Sequence, residues 1–186
     1  MRVGVLAYQG DVREHLAALG RGGAEALPVK YAEELRSCDR LIIPGGESTT
    51  IGKLIERFGL AQPLREFAAA GKPIFGTCAG AILLAREIAG SDQFHLGLMD
   101  ITVARNAYGR QVDSFEADLA APALGPEPLH SVFIRAPQIA SVGEGVEVLA
   151  EYAGRVVLCR QGRLLAATFH PELTGDLRVH RYFLQI

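Results

Sequence analysis

The hydrophobic positions of this chain switch repeatedly between two patterns, the continuous runs typical of buried strands and the three-and-four spacing of helices. The segment Arg2–Tyr8 is a near-continuous apolar run of the kind buried on both faces of a parallel sheet. Val12, Leu16 and Leu19 then recur at helical spacing. The chain therefore opens with a predicted strand followed by a predicted helix.

The same alternation continues through the first half of the chain. Glycines stop the two helical stripes that lie between the later strands, as expected for residues that end helices. The next predicted elements are strands at 27–29, 41–43 and 74–75, helices at 51–58 and 60–67, and a helix after residue 78 that ends near Gly90.

The second half predicts closely spaced strands, with hairpin connections at Gly154 and Gly162 and a surface loop at 120–128. Together the two halves predict one domain, residues 1–186, of the α/β class. It is a three-layer α/β/α open sheet, mostly parallel, with antiparallel edge strands. The predicted elements of this half are strands at 99–105, 114–119, 132–135, 146–152, 156–160 and 164–169, and a helix at 175–186.

The segment Gly76-Thr77-Cys78-Ala79-Gly80 lies between a predicted strand and a predicted helix, and is the sulfur counterpart of the Gly-x-Ser-x-Gly nucleophile elbow. Such an elbow strains the nucleophile's backbone and leaves no room for side chains two residues to either side, which glycine satisfies. The start of a helix also favours the thiolate form. Alone, the pattern also fits a small buried cysteine beside two packing glycines.

A second segment, His170-Pro171-Glu172, stands at the end of another apolar run. A thiol nucleophile needs a base within hydrogen-bond reach, and the base needs an acceptor that orients it. The spacing of two residues at a strand end places His170 and Glu172 on one side of the chain. Together with the elbow, this segment predicts a Cys78, His170 and Glu172 catalytic triad.

Composition and charge argue against several classes of function but identify no catalytic residue. The net charge of -2, from 19 basic and 21 acidic residues, argues against a nucleic-acid partner, and no apolar run has the length of a membrane span, so we expect a cytoplasmic protein. Cys38, Cys78 and Cys159 lack metal-ligand spacing, which predicts no metal site and no disulfide framework. Cys38 and Cys159 are predicted to be inert.

Several further polar positions have both a structural and a functional interpretation. Gly45 and Gly46 fit a plain turn before a capped helix as well as a backbone approach to a substrate. Asp11 fits the cap of the first helix better than a contact with substrate or partner. We expect the histidines outside the triad to be packing or solvated residues, and assign no role to them: His15, His95, His130 and His180.

The two catalytic segments resemble the class I, or triad, glutamine amidotransferases, which have a flavodoxin-like fold. Three further blocks resemble the glutaminase subunits of pyridoxal 5'-phosphate synthases, a branch of that family. The resemblance extends over nearly the whole chain. These blocks are Pro44–Thr50, Arg105–Phe115 and Phe133–Pro137.

The resemblance implies hydrolysis of L-glutamine to L-glutamate and ammonia through a thioester on Cys78, with no cofactor. His170 is the implied base and Glu172 orients it. Backbone N–H groups of Gly46 and Ala79 are implied to form the oxyanion hole. The residues implied to bind glutamine are Gly46, Glu47, Ser48, Arg105, Ile134 and Arg135.

A partner is also implied, because ammonia released into water is protonated and lost as a nucleophile. In the family that partner is the synthase (lyase) subunit, and the two subunits form a large hetero-oligomer. Partner docking is expected to reorient the Gly45–Gly46 peptide and complete the oxyanion hole. The alternatives are the glutaminase subunit of another class I amidotransferase and a catalytically silent regulatory subunit.

Overall fold

The computed structural model describes residues 1–105 and 114–186 of the chain. Five parallel strands, four from the first half of the chain and the last from the second half, lie in the order β2-β1-β3-β4-β12. Successive side chains of a strand point to opposite faces, and here both faces are buried: Leu41 and Ile43 join one core, and Ile42 joins the other. This explains the continuous apolar runs. The strands are β1 (Arg2–Leu6), β2 (Glu25–Val29), β3 (Arg40–Ile43), β4 (Ile74–Thr77) and β12 (Leu164–Ala167).

An antiparallel part extends this sheet beyond β12, in the order β11-β9-β6-β5, with β10 paired to β11. Hairpins at Gly154 and Gly162 join β10 to β11 and β11 to β12, as predicted. A separate hairpin pairs β7 with β8. The strands are β5 (Ala85–Ile88), β6 (Met99–Ala104), β7 (Ser114–Leu119), β8 (Leu129–Ile134), β9 (Gln138–Val142), β10 (Glu147–Tyr152) and β11 (Arg155–Gln161).

Helices cover both faces of the sheet, which confirms the three-layer α/β/α prediction. One core contains side chains of α2, α3, α4 and α5, and the other contains side chains of α1, α6 and the β7–β8 hairpin. The helices are α1 (Val12–Arg21), α2 (Ala32–Arg36), α3 (Ser48–Arg57), α4 (Ala61–Ala69), α5 (Ala79–Leu84) and α6 (Arg178–Gln185).

Three local predictions differ from the structure. The elbow helix ends at Leu84 rather than near Gly90, because Ala85 takes an extended conformation and Ala85–Ile88 pairs with β6. The strand Gln138–Val142 was not predicted, and the last helix begins at Arg178 rather than Gly175. Of the Arg105–Phe115 block, positions 106–113 lie outside the described residues.

The topology gathers the predicted functional segments at one edge. The parallel strands β1, β3, β4 and β12 all point the same way, so the residues that follow them meet at their carboxyl ends. Those residues are Gln9–Asp11, Gly45–Ser48, Cys78 and His170. Within 1–105 and 114–186, no helix combines the length and apolar character needed to cross a membrane.

Candidate active site

Cys78 stands at the turn between β4 and α5 with a strained backbone, φ 47° and ψ -103°. Its N–H donates to the Ala167 carbonyl of β12 at 2.8 Å, which holds the turn against the neighbouring strand. A Cβ on Gly76 would collide with the Gly80 backbone, and one on Gly80 with the Ile43 carbonyl oxygen. Both glycines are therefore required by close packing, as the elbow pattern predicts.

His170 follows β12 and is fixed by its backbone, whose N–H donates to the Val132 carbonyl at 2.8 Å. Its Nδ1 lies 2.8 Å from Oε1 of Glu172, which belongs to the short 3-10 turn Pro171–Leu173. Both side chains are buried, each residue being 4% exposed. The turn started by Pro171 thus brings the carboxylate back onto the imidazole of the residue two positions earlier.

A second carboxylate reaches the same nitrogen. Oδ2 of Asp11 lies 3.2 Å from Nδ1 of His170, and its side chain is 32% exposed. The prediction that Asp11 caps α1 is wrong, because the residue holds the cap position without a side-chain cap hydrogen bond. A buried imidazole between two carboxylates offers a charge-assisted partner, which is stronger than a neutral backbone N–H.

This cluster has unusual acid–base properties. Burial lowers the pKa of His170, but hydrogen bonds between its ring and the Asp11, Cys78 and Glu172 side chains raise it more, so the net pKa lies well above its usual value. Burial raises the pKa of Glu172, and the His170 imidazole opposes that shift. The arrangement favours a protonated imidazole next to Cys78.

An open cavity of about 240 Å³ lies over Cys78, with His170 in its wall. Every backbone and side chain predicted to bind glutamine or form the oxyanion hole lines it, whereas Glu172 lies behind His170. Gln9, Gly10, Asp11, Ile82 and Pro137 were not predicted as lining residues. The predicted members of the lining are Gly46, Glu47, Ser48, Cys78, Ala79, Arg105, Ile134, Arg135 and His170.

The Gly45–Gly46 segment approaches other backbone closely. Gly46 has φ +150°, and a Cβ there would meet Oε1 of Gln9 at 2.6 Å. The same Gln9 oxygen accepts a hydrogen bond from the Glu47 N–H at 2.7 Å. The Gly45 carbonyl accepts a long hydrogen bond from the Asp11 N–H at 3.3 Å. The double glycine therefore serves a close backbone approach as well as a turn.

The two arginines at the cavity differ in their surroundings. Arg105 is half-buried, and its guanidinium donates to Oε1 of Gln93 at 2.6 Å. Gln93 also hydrogen bonds to the buried Ser48 hydroxyl. Arg135 is exposed and has a strained φ of 41°. Hydrogen bonds thus hold the Arg105 guanidinium in place at the cavity wall. This favours Arg105 over Arg135 as the residue that could bind a carboxylate group of a ligand.

Two histidines without an assigned role lie beneath this site. His15 of α1 and His180 of α6 are both fully buried and face each other, with Nδ1 of His15 3.0 Å from Nε2 of His180. The sequence left open whether these two histidines are packed or solvated, and it gave no sign of this contact. Cys38 and Cys159 are also buried. Burial raises the pKa of the Cys38 thiol above its usual value. For the Cys159 thiol, burial raises the pKa to about 12.

One group of possible metal ligands, Asp11, His170 and Glu172, comes together within residues 1–105 and 114–186, with atoms no more than 4.8 Å apart. These are the residues of the acid–base cluster itself. Both carboxylates approach the same imidazole nitrogen, so hydrogen bonding accounts for their positions.

Comparison with known proteins agrees with this geometry. Residues 5–186 match the model of the SNO glutamine amidotransferase family. The pyridoxal 5'-phosphate synthase subunit PdxT of Pelotomaculum thermopropionicum is 63% identical over 185 residues, covering 100% of this chain and 94% of that protein. PdxT of Desulforudis audaxviator is 56% identical over 184 residues, covering 99% and 97%.

A solved structure described as a glutamine amidotransferase superposes with a TM-score of 0.94 at 55% identity, covering 98% of this chain and 97% of that one. The predicted family resemblance and fold class are therefore confirmed. The chain belongs to the SNO glutamine amidotransferase family.

Proposed function

We propose that this chain is the glutaminase subunit of a pyridoxal 5'-phosphate synthase, releasing ammonia from L-glutamine for a synthase subunit. The observation that carries the proposal is the buried hydrogen bond of 2.8 Å between His170 and Glu172, beneath a cavity that holds the strained Cys78. The PdxT names of full-length relatives support the substrate and the partner.

The first half of the reaction forms a thioester. Sγ of Cys78, its proton transferred to Nε2 of His170, attacks the side-chain amide carbon of glutamine. The carbonyl π electrons move to the oxygen, which then carries a negative charge. His170 returns the proton to the amide nitrogen, the carbon–nitrogen bond breaks, and ammonia leaves. Glu172 and Asp11 stabilise the imidazolium that exists between these two transfers.

The second half hydrolyses the thioester. His170 takes a proton from water, the hydroxyl oxygen attacks the thioester carbon, and the carbon–sulfur bond breaks as His170 returns the proton to Sγ of Cys78, which releases glutamate. Both halves pass through a negatively charged oxygen. Ala79 and Gly46 line the cavity, which supports their backbone N–H groups as the donors to this oxygen. Such donors contribute about 3 kcal/mol each to transition-state stabilisation.

Glutamine binding uses the remaining cavity wall. Arg105, held by Gln93, binds the α-carboxylate, because a guanidinium fork matches a carboxylate with two parallel hydrogen bonds. Arg135 is exposed at the rim and contributes a weaker contact. The other residues that bind glutamine in this proposal are Gly46, Glu47, Ser48 and Ile134.

The ammonia passes to a synthase (lyase) subunit within a large hetero-oligomer in the cytoplasm. Docking of that subunit activates the chain by turning the Gly45–Gly46 peptide. Such a rotation would break the hydrogen bond from the Asp11 N–H to the Gly45 carbonyl. At 3.3 Å this bond is long, so breaking it costs little free energy. The whole chain acts as a single glutaminase domain in this proposal.

Two other functions remain as competitors. A glutaminase that serves another class I synthase would have the same triad, and a silent regulatory subunit would have the same fold. The PdxT relatives argue against the first, and the intact Cys78, His170 and Glu172 cluster argues against the second.

The test is glutamate release from glutamine by the purified chain, with and without a pyridoxal 5'-phosphate synthase lyase subunit, beside a Cys78→Ala variant. We expect release that depends on the lyase subunit and disappears in the variant. Equal activity without the lyase subunit would refute the activation step. Absence of release in both conditions would refute the glutaminase assignment.

A further inference from the structure

The Glu172 carboxylate lies between two histidines. Its Oε1 is 2.8 Å from Nδ1 of His170, and its Oε2 is 3.3 Å from Nε2 of His15. The side chains of Glu172 and His15 are both 0% exposed. Within the described residues, Oε2 has no hydrogen-bond partner, because the 3.3 Å contact with His15 lacks hydrogen-bond alignment. A buried carboxylate oxygen without a donor is costly, so the orientation of His15 matters to Glu172.

The contact continues one residue further from the cavity. Nδ1 of His15 lies 3.0 Å from Nε2 of His180, and Nε2 of His15 also lies 3.1 Å from the Thr77 hydroxyl. The ring of Phe75 packs against both imidazoles, with centroids 6.4 and 6.3 Å away. The two histidines therefore pack against an apolar ring, and three of their four ring nitrogens have a hydrogen-bond partner in the structure.

One neutral tautomer of His15 fits these distances poorly. With its proton on Nδ1, His15 would donate to His180 and turn a lone pair toward the Glu172 carboxylate. His180 would then carry its own proton on Nδ1, a buried atom that finds no hydrogen-bond partner within residues 1–105 and 114–186. This tautomer leaves a buried donor and a buried carboxylate oxygen unsatisfied together.

The other tautomer agrees with the short contacts. With protons on Nε2 of both rings, His180 donates to Nδ1 of His15, and His15 donates to Thr77 Oγ1 and turns the same N–H side toward Oε2 of Glu172. Nδ1 of His180 still lacks a partner among the described residues, but it is then an acceptor without a proton. The protons of His180 and His15 thus point toward Glu172 from one side, and His170 Nδ1–H donates to its Oε1 from the other.

We propose that His15 is a positioning residue: its Nε2–H, fixed by His180, holds the Glu172 carboxylate ionised and turned toward His170. A neutral donor suits this role, since it stabilises the carboxylate and leaves its negative charge available to the His170 imidazolium. The effect on rate rests on the proposed glutaminase function, whereas the hydrogen-bond chain is a property of the isolated protein.

The charges around His15 agree with a neutral ring. Burial, with the nearby His180 and His170, lowers the pKa of His15 well below its usual value. Burial and the charge of Arg21 lower the pKa of His180 to about 4. The remaining titratable groups that face this cluster are Asp11 of α1, Cys78 of the elbow, and Glu172.

The hydrogen-bond chain is tested by long-range proton–nitrogen NMR of the free protein labelled with ¹⁵N-histidine, which reports the tautomer of each ring. Single substitutions of the five histidines supply the assignments. We expect His15 and His180 to be neutral Nε2–H tautomers from pH 5 to pH 8. An Nδ1–H tautomer or a protonated ring at His15 would overturn the proposal.

The positioning role is tested by kinetics of the complex with the lyase subunit. His15→Leu removes the donor to Glu172, and His15→Gln keeps one at the position of Nε2. For His15→Leu we expect kcat about tenfold lower at unchanged KM, and an acidic limb about one pH unit higher, because Glu172 gains protons more easily. His15→Gln should restore most of the kcat and most of the position of the acidic limb. His130→Gln, at an exposed position, is the control and should match the wild type.

The outcomes separate the two proposals. If His15→Leu and His15→Gln share the wild-type kcat and pH profile and change only the melting temperature, His15 is a packing residue and the proposal fails. If His15→Leu does not fold, the Gln variant and the wild-type NMR spectrum still decide it. If the wild type releases no glutamate, the proposed function fails, and the tautomer of His15 alone decides the hydrogen-bond chain.

Discussion

At the scale of single residues, the site gathers ionisable groups around one imidazole. Nδ1 of His170 has a carboxylate on either side, Glu172 at 2.8 Å and Asp11 at 3.2 Å. Carboxylates at this range raise an imidazole's pKa by one to several units. The pair of acids therefore stabilises the imidazolium that a proton transfer from Cys78 creates.

Asp11→Asn should move the alkaline limb of the glutaminase pH profile to lower pH by about one unit. The raised pKa of His170 depends on this carboxylate, and His170 must carry the proton that it gives to ammonia. The measurement is kcat against pH for glutamate release by the complex.

Glu14→Gln is the matched control for this change, since it removes the same charge from the same helix away from His170. It should leave the profile unchanged. An alkaline limb for Asp11→Asn that coincides with the wild type would show that Asp11 does not act on His170.

The residue scale also shows what the sequence can predict. Cys78, His170 and Glu172 lie in short segments whose local spacing is set by their chemistry, so each segment is visible in the sequence. Asp11 and His15 act through residues more than 150 positions away. Only the tertiary fold brings such residues together.

At the scale of elements, the elbow depends on how closely α5 approaches β3. The Cα of Gly80 faces the backbone carbonyl of Ile43, with no space for a methyl group. Helices with strong apolar stripes, such as Ser48–Arg57, were predicted closely. The short strand Ala85–Ile88 was not, because four residues that directly follow a helix, two apolar and two charged, have no distinct period and the pairing with β6 decides their conformation.

Gly80→Ala should therefore destabilise the protein by about 1–3 kcal/mol, because its Cβ collides with backbone that cannot move aside. Cys78 would be displaced with the elbow, so glutaminase activity should fall as well. Urea unfolding measures the stability change.

Gly20→Ala provides the comparison within the exposed surface of α1, where a Cβ meets no atom within 4 Å. Alanine is the better helix former, so this variant should gain up to about 1 kcal/mol. Equal tolerance of alanine at both positions would contradict the close packing assigned to the elbow.

At the scale of the whole molecule, the active site is connected to the helical layer that packs beneath it. Helices α1 and α6 cover one face of the sheet, and their buried histidines meet below Glu172. The layered fold followed from the alternation of strands and helices along the sequence. The meeting of α1 with α6 did not, since it depends on which face of the sheet each helix covers.

This burial should make stability depend on pH on the acidic side. The pKa of His180 is lowered from 6.5 to about 4 in the folded chain, so the unfolded chain binds a proton first as the pH falls. Between pH 7 and pH 5 this difference in pKa lowers the free energy of unfolding by about 2 kcal/mol.

His180→Leu should reduce that acid-induced loss by a similar amount. Urea unfolding of both proteins at pH 7 and pH 5 tests this. A change in packing alone would shift the free energy of unfolding equally at both pH values, and that result would contradict titration of His180.

The central claim is that Cys78 attacks the side-chain amide carbon of glutamine in this cavity. A glutamine analogue with an electrophilic carbon in place of the amide, incubated with the complex and analysed by peptide mass spectrometry, tests it most directly. We predict one label on Cys78, protection by glutamine, and none on the buried Cys38 and Cys159. Labelling spread over the three cysteines, or an unmodified Cys78 in the active complex, would contradict the claim.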